Sequence, residues 1–205
     1  MILQFISLAS LLIIITMLRR IVNVMPSVLT CIWRWKECIN IDSDIKTGRD
    51  RDFTALALIL PFCLTASNTG ILSFRFMNDM GPEAAFGVTV AIFAAYMLFR
   101  LFTSKVFLPQ KSRRDNRVTD NSDRTFFIIL SISVLACHWI MGLMNADVTA
   151  TRSTILWLSA IIYGLYIVRK FQIFQSSHSI FTSFLYLCAL EIIPTGTLAV
   201  SVIIF

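Results

Sequence analysis

Six apolar stretches alternate along this 205-residue chain with short charged segments, and each is close to the length that crosses a bilayer. A spanning helix needs about 20 mostly apolar residues, because each residue advances about 1.5 Å through a hydrocarbon layer roughly 30 Å thick. The stretches cover residues 2–18, 53–72, 85–107, 125–144, 153–168 and 180–205. In hydrocarbon every backbone N–H and C=O must pair within the chain, so such segments become helices. The pattern predicts an all-α membrane protein, one polytopic domain built as a bundle of about six transmembrane helices. Composition agrees. The chain is 57% hydrophobic and only 15% charged, with a mean hydropathy of +0.76, where a soluble domain is about a quarter charged. The first stretch has no basic residues ahead of it. Arg19-Arg20 follow it where a secretory signal would carry a small-residue cleavage site, so it is expected to be retained.

The basic residues fix an orientation. Residues 19–52 hold Arg19, Arg20, Arg34, Lys36, Lys46, Arg49 and Arg51. Residues 100–124 hold Arg100, Lys105, Lys111, Arg113, Arg114, Arg117 and Arg124, and residues 169–179 hold Arg169 and Lys170. Only Arg75 and Arg152 fall in the intervening loops. Short loops rich in Lys and Arg stay in the cytoplasm, which places both termini on the opposite side. If the first stretch were interfacial or removed, five spans would remain, with the N-terminus inside and the other spans keeping their sense. The net charge of +6 is thereby a topological signal beside apolar segments. It argues for the lipid bilayer as partner, and no nucleic acid is expected.

Residues 21–39 carry a second pattern. Ile21, Met25, Val28, Ile32, Trp35 and Ile39 recur three or four apart, with Arg20, Asn23, Ser27, Thr30, Arg34 and Glu37 opposite. That periodicity predicts an amphipathic interfacial helix in the first cytoplasmic loop, with Pro26 in its first turn and Trp33 and Trp35 as interfacial anchors. Its role is either a connector lying on the bilayer or a docking helix for a partner or anionic lipid. Residues 41–52 repeat Asp but lack the closing Glu of a calcium loop, and read as a solvated linker. Cys31 and Cys38 are seven apart, which matches no common zinc spacing, so no metal site is expected. No cofactor motif is present either.

Inside the last apolar stretch sits Glu191, at a depth where an ionisable group costs about 3 kcal/mol. Cys188 precedes it by three residues and Thr195 follows by four, which puts them on one helix face. Pro194 lacks an N–H, frees a carbonyl in the preceding turn and predicts a helix kink. Glu191 is either a structural acid hydrogen-bonded across helices or a proton-handling or ligand-binding group. Asn68 and His138 lie in the outer halves of the second and fourth stretches. They are the other members of a candidate intramembrane polar site, with an interfacial His bonded to a backbone carbonyl as the alternative for His138. Tyr163 and Tyr166 read as packing residues, and Arg100, Arg169 and Lys170 as snorkelling end charges.

The strings Tyr163-Gly164-Leu165-Tyr166-Ile167-Val168-Arg169-Lys170 and Phe184-Leu185-Tyr186-Leu187-Cys188-Ala189-Leu190-Glu191-Ile192-Ile193-Pro194 resemble an uncharacterised integral-membrane family of Bacteroidetes, classed as a domain of unknown function. The Leu-Tyr-Leu-Cys-x-Leu-Glu-Ile-x-Pro run is the specific part. The resemblance implies a Gram-negative inner membrane and supplies no catalytic residues.

Enzyme signatures are scarce. The chain has no phosphate loop, no His-Glu-x-x-His, no Gly-x-Ser-x-Gly and no paired Asp motif at a helix end. The expectation is a non-enzymatic subunit, scaffold or assembly factor of a cell-envelope complex, with an envelope protein or a second copy as partner. The alternative is a small transporter or proton-coupled protein using Glu191, and a lipid-modifying enzyme stands third.

Overall fold

The computed structural model describes residues 2–34, 45–71, 77, 80–107, 113–175 and 179–204. Nearly all of these residues are helical, with no strand among them. The helices are α1 (Ile2–Trp33), α2 (Ile45–Asn68), α3 (Pro82–Phe107), α4 (Arg113–Leu143), α5 (Val148–Gln175), α6 (Ile180–Leu187) and α7 (Ile193–Ile204). A single π-helical turn, Cys188–Ile192, joins α6 to α7.

Four segments are long and apolar enough to cross a membrane: Ile2–Trp33, Pro82–Arg100, Ser122–Leu143 and Val148–Gln175. The other two apolar stretches are helical but fall short for different reasons. The first two turns of α2 carry Lys46, Arg49, Asp50, Arg51 and Asp52, which leaves only Phe53–Asn68 apolar. The C-terminal stretch is interrupted by the π turn.

Helix ends depart from the apolar limits. α1 runs straight through Arg19-Arg20 to Trp33, with Pro26 in its interior. Residues 21–33 therefore extend the first helix; they do not start a separate interfacial one at Pro26. Trp33 is exposed, and Trp35, Cys38 and residues 41–44 lie outside the described residues, whereas residues 45–52 of the expected solvated linker form the first two turns of α2, with Arg51 buried. α4 likewise begins at Arg113, so residues 113–124 continue the fourth span as helix. The cause is the same in both cases. Leaving hydrocarbon does not break a helix, and charged residues with good helix propensity propagate it.

The stripe on α1 faces protein, not the bilayer surface. Val24 and Val28 are buried against Phe126 and Ile129 of α4 and Ile162 and Tyr166 of α5, with Ile32 alongside. α4 is the central helix. It packs Ile128 against Ala55 and Leu58 of α2. Its Phe127 also meets Phe62 of α2 and Phe93 of α3, with ring centroids 5.6 and 5.7 Å away. Tilted and edge-on aromatic contacts of this kind are favourable beyond their area.

At one end, α2 and α4 terminate alike. Gly70 and Asn145 have φ of 62° and 51°. Ile71 N–H returns to the Ala66 carbonyl at 3.2 Å, and Ala146 N–H to that of Met141 at 3.0 Å. This six-to-one closure satisfies carbonyls that a helix end leaves open, and it requires a left-handed residue that Gly and Asn supply.

The charged residues gather at the opposite end. Arg169 of α5 donates to the Ile32 carbonyl at 2.6 and 3.0 Å and to that of Trp33 at 3.2 Å, so a side chain 137 positions away caps α1. A guanidinium suits this place, because the carbonyl end of a helix carries partial negative charge. Arg169→Leu is expected to cost about 2 kcal/mol, the range for hydrogen bonds to a charged group. The thermal midpoint in detergent should fall by several degrees, and Arg169→Lys should recover part of it. An unchanged midpoint would show the cap to be dispensable.

Candidate functional site

On α5, the residues facing the protein interior are Thr151, Ile155, Ile162, Tyr166, Lys170, Ile173 and Phe174. The spacing of three, four and seven is that of one helix face, and it carries Lys170 inward. Lys170 is 2% exposed. On α3 the same logic aligns Thr89, Phe93, Tyr96 and Arg100, each three or four residues from the last. Asp123 sits on α4 below Phe126. The π turn supplies Glu191, which is 1% exposed.

These side chains meet. Lys170 Nζ contacts Glu191 Oε1 and lies 2.8 Å from Asp123 Oδ1. Arg100 Nη2 reaches both oxygens of Glu191, at 2.7 and 2.9 Å, and stands 2.9 Å from Asp123 Oδ1. Nη2, one nitrogen with two hydrogens, thus faces both carboxylates as a shared central donor. The formal charges balance: two cations against two carboxylates.

The Tyr166 hydroxyl sits among the four charges. It donates to Asp123 Oδ1 at 2.6 Å, accepts from Lys170 Nζ at 2.8 Å and contacts Arg100 Nη2. One donor and two lone pairs are all that a phenol has, and each is used. The Arg100 guanidinium also lies 5.7 Å from the centre of the Tyr166 ring, within cation–π range. Tyr163 Oη donates to the backbone carbonyl of Glu191 at 3.0 Å, and Tyr96 Oη lies 3.0 Å from Thr195 Oγ1. The irregular turn around Glu191 is thus held by hydroxyls from α3 and α5. A backbone departure from α-helical pairing at membrane depth is tolerated where protein groups satisfy it.

The expected polar site divides into two. Glu191 and Thr195 belong to the charged cluster, with buried Pro194 just beyond the π turn. Cys188 opens that turn as a half-buried free thiol. His138 and Asn68 stand elsewhere. His138 lies 15 residues along α4 from Asp123, about 22 Å away at helical rise. It lines a groove of about 360 Å³ together with Asn68, Thr65 and Ser10. His138 Nδ1 is buried with no hydrogen-bond partner, among the described residues, so the backbone-carbonyl bond expected of it is absent at that nitrogen. The sequence presents Arg100 and Lys170 as snorkelling charges and Tyr166 as a packing residue, and Asp123 falls inside the charged segment 100–124; the structure brings all four together. The i, i+4 steps Tyr166–Lys170 and Tyr96–Arg100 are the sequence signal that could have found them.

Comparison of the chain with protein-family models, with curated proteins and with solved structures finds no match in any of the three.

Proposed function

We propose that this chain is a multi-pass protein of a Gram-negative inner (cytoplasmic) membrane, a non-enzymatic subunit, scaffold or assembly factor of a cell-envelope complex. Both termini would lie on the periplasmic side and the Arg- and Lys-rich end in the cytoplasm. Membership of the Bacteroidetes family resembled by the Glu191 string is part of the same proposal.

The observation that carries it is the state of Glu191. Its carboxylate is 1% exposed and is engaged by Lys170 and Arg100, and its carbonyl is engaged by Tyr163. A carboxylate held by two cations in a charge-balanced cluster is a clamp between helices, since removing any partner leaves a buried charge uncompensated. The outer faces of the bundle suit an assembly. Only 6% of the apolar window of α1 and of α3 is buried within the chain, which leaves both helices free to meet lipid, a partner or a second copy. Gentle detergent extraction with crosslinking should yield one reproducible assembly of defined mass. Recovery of a lone monomer from membranes at native abundance would overturn the reading.

A second reading, a small transporter or proton-coupled protein, is favoured by the gradation of exposure. The Arg100 and Asp123 side chains are each 20% exposed, while those of Lys170 and Glu191 are 2%. That gives an ordered series of ionisable groups from surface to interior, ending at a π turn, a feature common at functional sites. The two readings separate on Glu191→Gln. Loss of cellular function with normal accumulation and assembly favours transport, whereas function lost only in proportion to accumulation favours the clamp.

A further inference from the structure

On α1, Leu8, Leu12, Ile15 and Arg19 are exposed, and their spacing of four, three and four puts them on one face. On α2, Arg49, Phe53 and Leu56 are exposed at spacings of four and three. The two helices run antiparallel, since Arg20 lies 3.9 Å from Asp50 while Ser10 lines one groove with Thr65. In an antiparallel pair of right-handed helices, one step back from the touching residues turns both chains toward the same side. Arg19 and Arg49 are those steps back from Arg20 and Asp50. The two exposed stripes therefore form one surface. Arg20 joins them, its guanidinium 5.1 Å from the centre of the Phe53 ring.

We propose that this surface binds an anionic phospholipid. Charge selects the head. Among the described residues, Arg19 and Arg49 make no hydrogen bond or ion pair. The carboxylates beside them are engaged: Asp50 faces Arg20, and Asp52 is shared by Arg51 and Arg124. Arg19 and Arg49 are thereby left over for a phosphate, which a guanidinium meets through paired N–H groups. A zwitterionic head brings its own cation, which two guanidiniums repel. The apolar half of each stripe selects a lipid over a soluble anion. Ile15, Leu12 and Leu8 continue from Arg19 into the span of α1, and Phe53 and Leu56 continue from Arg49 into that of α2, with Leu56 70% exposed. Inorganic phosphate or an acidic peptide would use the arginines and leave these side chains uncovered, whereas an acyl chain lies along them. The arrangement is the same whichever leaflet this end occupies, so it stands apart from the orientation proposed above.

The Arg19→Gln/Arg49→Gln double variant provides the test. Neither side chain has a polar partner to lose, so the thermal midpoint should hold. The delipidated full-length protein in detergent is titrated with phosphatidylglycerol and, separately, with phosphatidylcholine of the same chains. Bound lipid is counted by native mass spectrometry. Wild type should prefer phosphatidylglycerol by about tenfold or more, and the double variant should lose most of that preference. Arg113→Gln/Arg114→Gln removes the same charge from the same end of the bundle, on α4, and should keep it. Leu56→Gln should weaken phosphatidylglycerol binding several-fold, and glycerol phosphate at equal concentration should not compete. Equal binding of the two lipids overturns the proposal. So does a preference indifferent to the Arg19/Arg49 pair, an equal loss in the Arg113/Arg114 variant, or displacement of the lipid by glycerol phosphate. In intact membranes, a photoreactive side chain in place of Leu56 should label phospholipid. A protein adduct there instead would assign the surface to a partner chain and overturn the lipid.

Discussion

Lys170→Met is expected to destabilise the bundle more than any other single side-chain change discussed, and Glu191→Gln added to it is expected to give much of the loss back. Lys170 and Glu191 are 2% and 1% exposed and in contact. Removing Lys170 leaves Glu191 and Asp123 sharing Arg100 alone, a buried cluster with one uncompensated negative charge. Breaking a buried ion pair from one side costs about 3–5 kcal/mol. Removing both leaves Arg100 facing Asp123 at 2.9 Å, again neutral. The double variant should therefore lie well above the sum of the singles, with a coupling of about 1–3 kcal/mol, as for contacting residues. Thermal unfolding of the four proteins in one detergent measures it. Additive losses would mean that the four charges do not act as a unit, and the clamp would fail. Tyr166→Phe is a useful companion. It deletes the hydroxyl shared by Asp123, Lys170 and Arg100 and changes no charge, so its effect should be smaller than that of Lys170→Met.

What the sequence disclosed and withheld follows from the kind of signal each feature leaves. Apolar length is a property of a segment, so the positions of the helices could be read from hydropathy. Their ends could not. α1 passes through Arg19-Arg20 and α4 starts at Arg113, because nothing in a charged residue stops a helix that has left the lipid. Glu191 stood out because a lone acid amid apolar neighbours is anomalous without reference to anything else. Its partners did not, since Arg100 and Lys170 sit where helix-end cations ordinarily reach toward headgroups. Whether such a side chain turns outward or inward depends on the neighbouring helices. Only the stripe that joins Lys170 to Tyr166 and Ile162 on the buried face of α5 hinted at the inward choice. His138 and Asn68 line one groove because both lie toward the ends of their helices that point away from the charged residues. Glu191 lies at another depth, since Asp123, which meets its partners Lys170 and Arg100, is about four helical turns from His138, and depth relative to a neighbouring helix is not written in the spacing of either.

Reporters fused along the chain should alternate with the Lys and Arg content of the loops, and this is the largest all-or-none effect expected of the protein. A phosphatase reporter, active only outside the cytoplasm, should be active after Gly81 and after Asn145, and silent after Phe107 and after Gln175. Arg20 lies 3.9 Å from Asp50, Arg124 pairs with Asp52, and Arg169 caps α1 at Ile32. The C-terminal part of α1, the start of α2, residue 124 on α4 and the far end of α5 therefore belong to one end of the bundle. They cannot lie on opposite faces of a membrane. The positive-inside bias then decides which face that end occupies. Those charged contacts also predict how the arrangement would resist change. Replacing Arg113, Arg114 and Arg117 with neutral residues removes topogenic charge, but Arg20, Arg51, Arg124, Arg169 and Lys170 remain at the same end. The triple variant should keep its orientation. Reversed reporters in the wild-type chain would place the Glu191 cluster at the periplasmic end and would remove the inner-membrane topology proposed above. Activity after both Gly81 and Phe107 would mean that α3 does not cross at all.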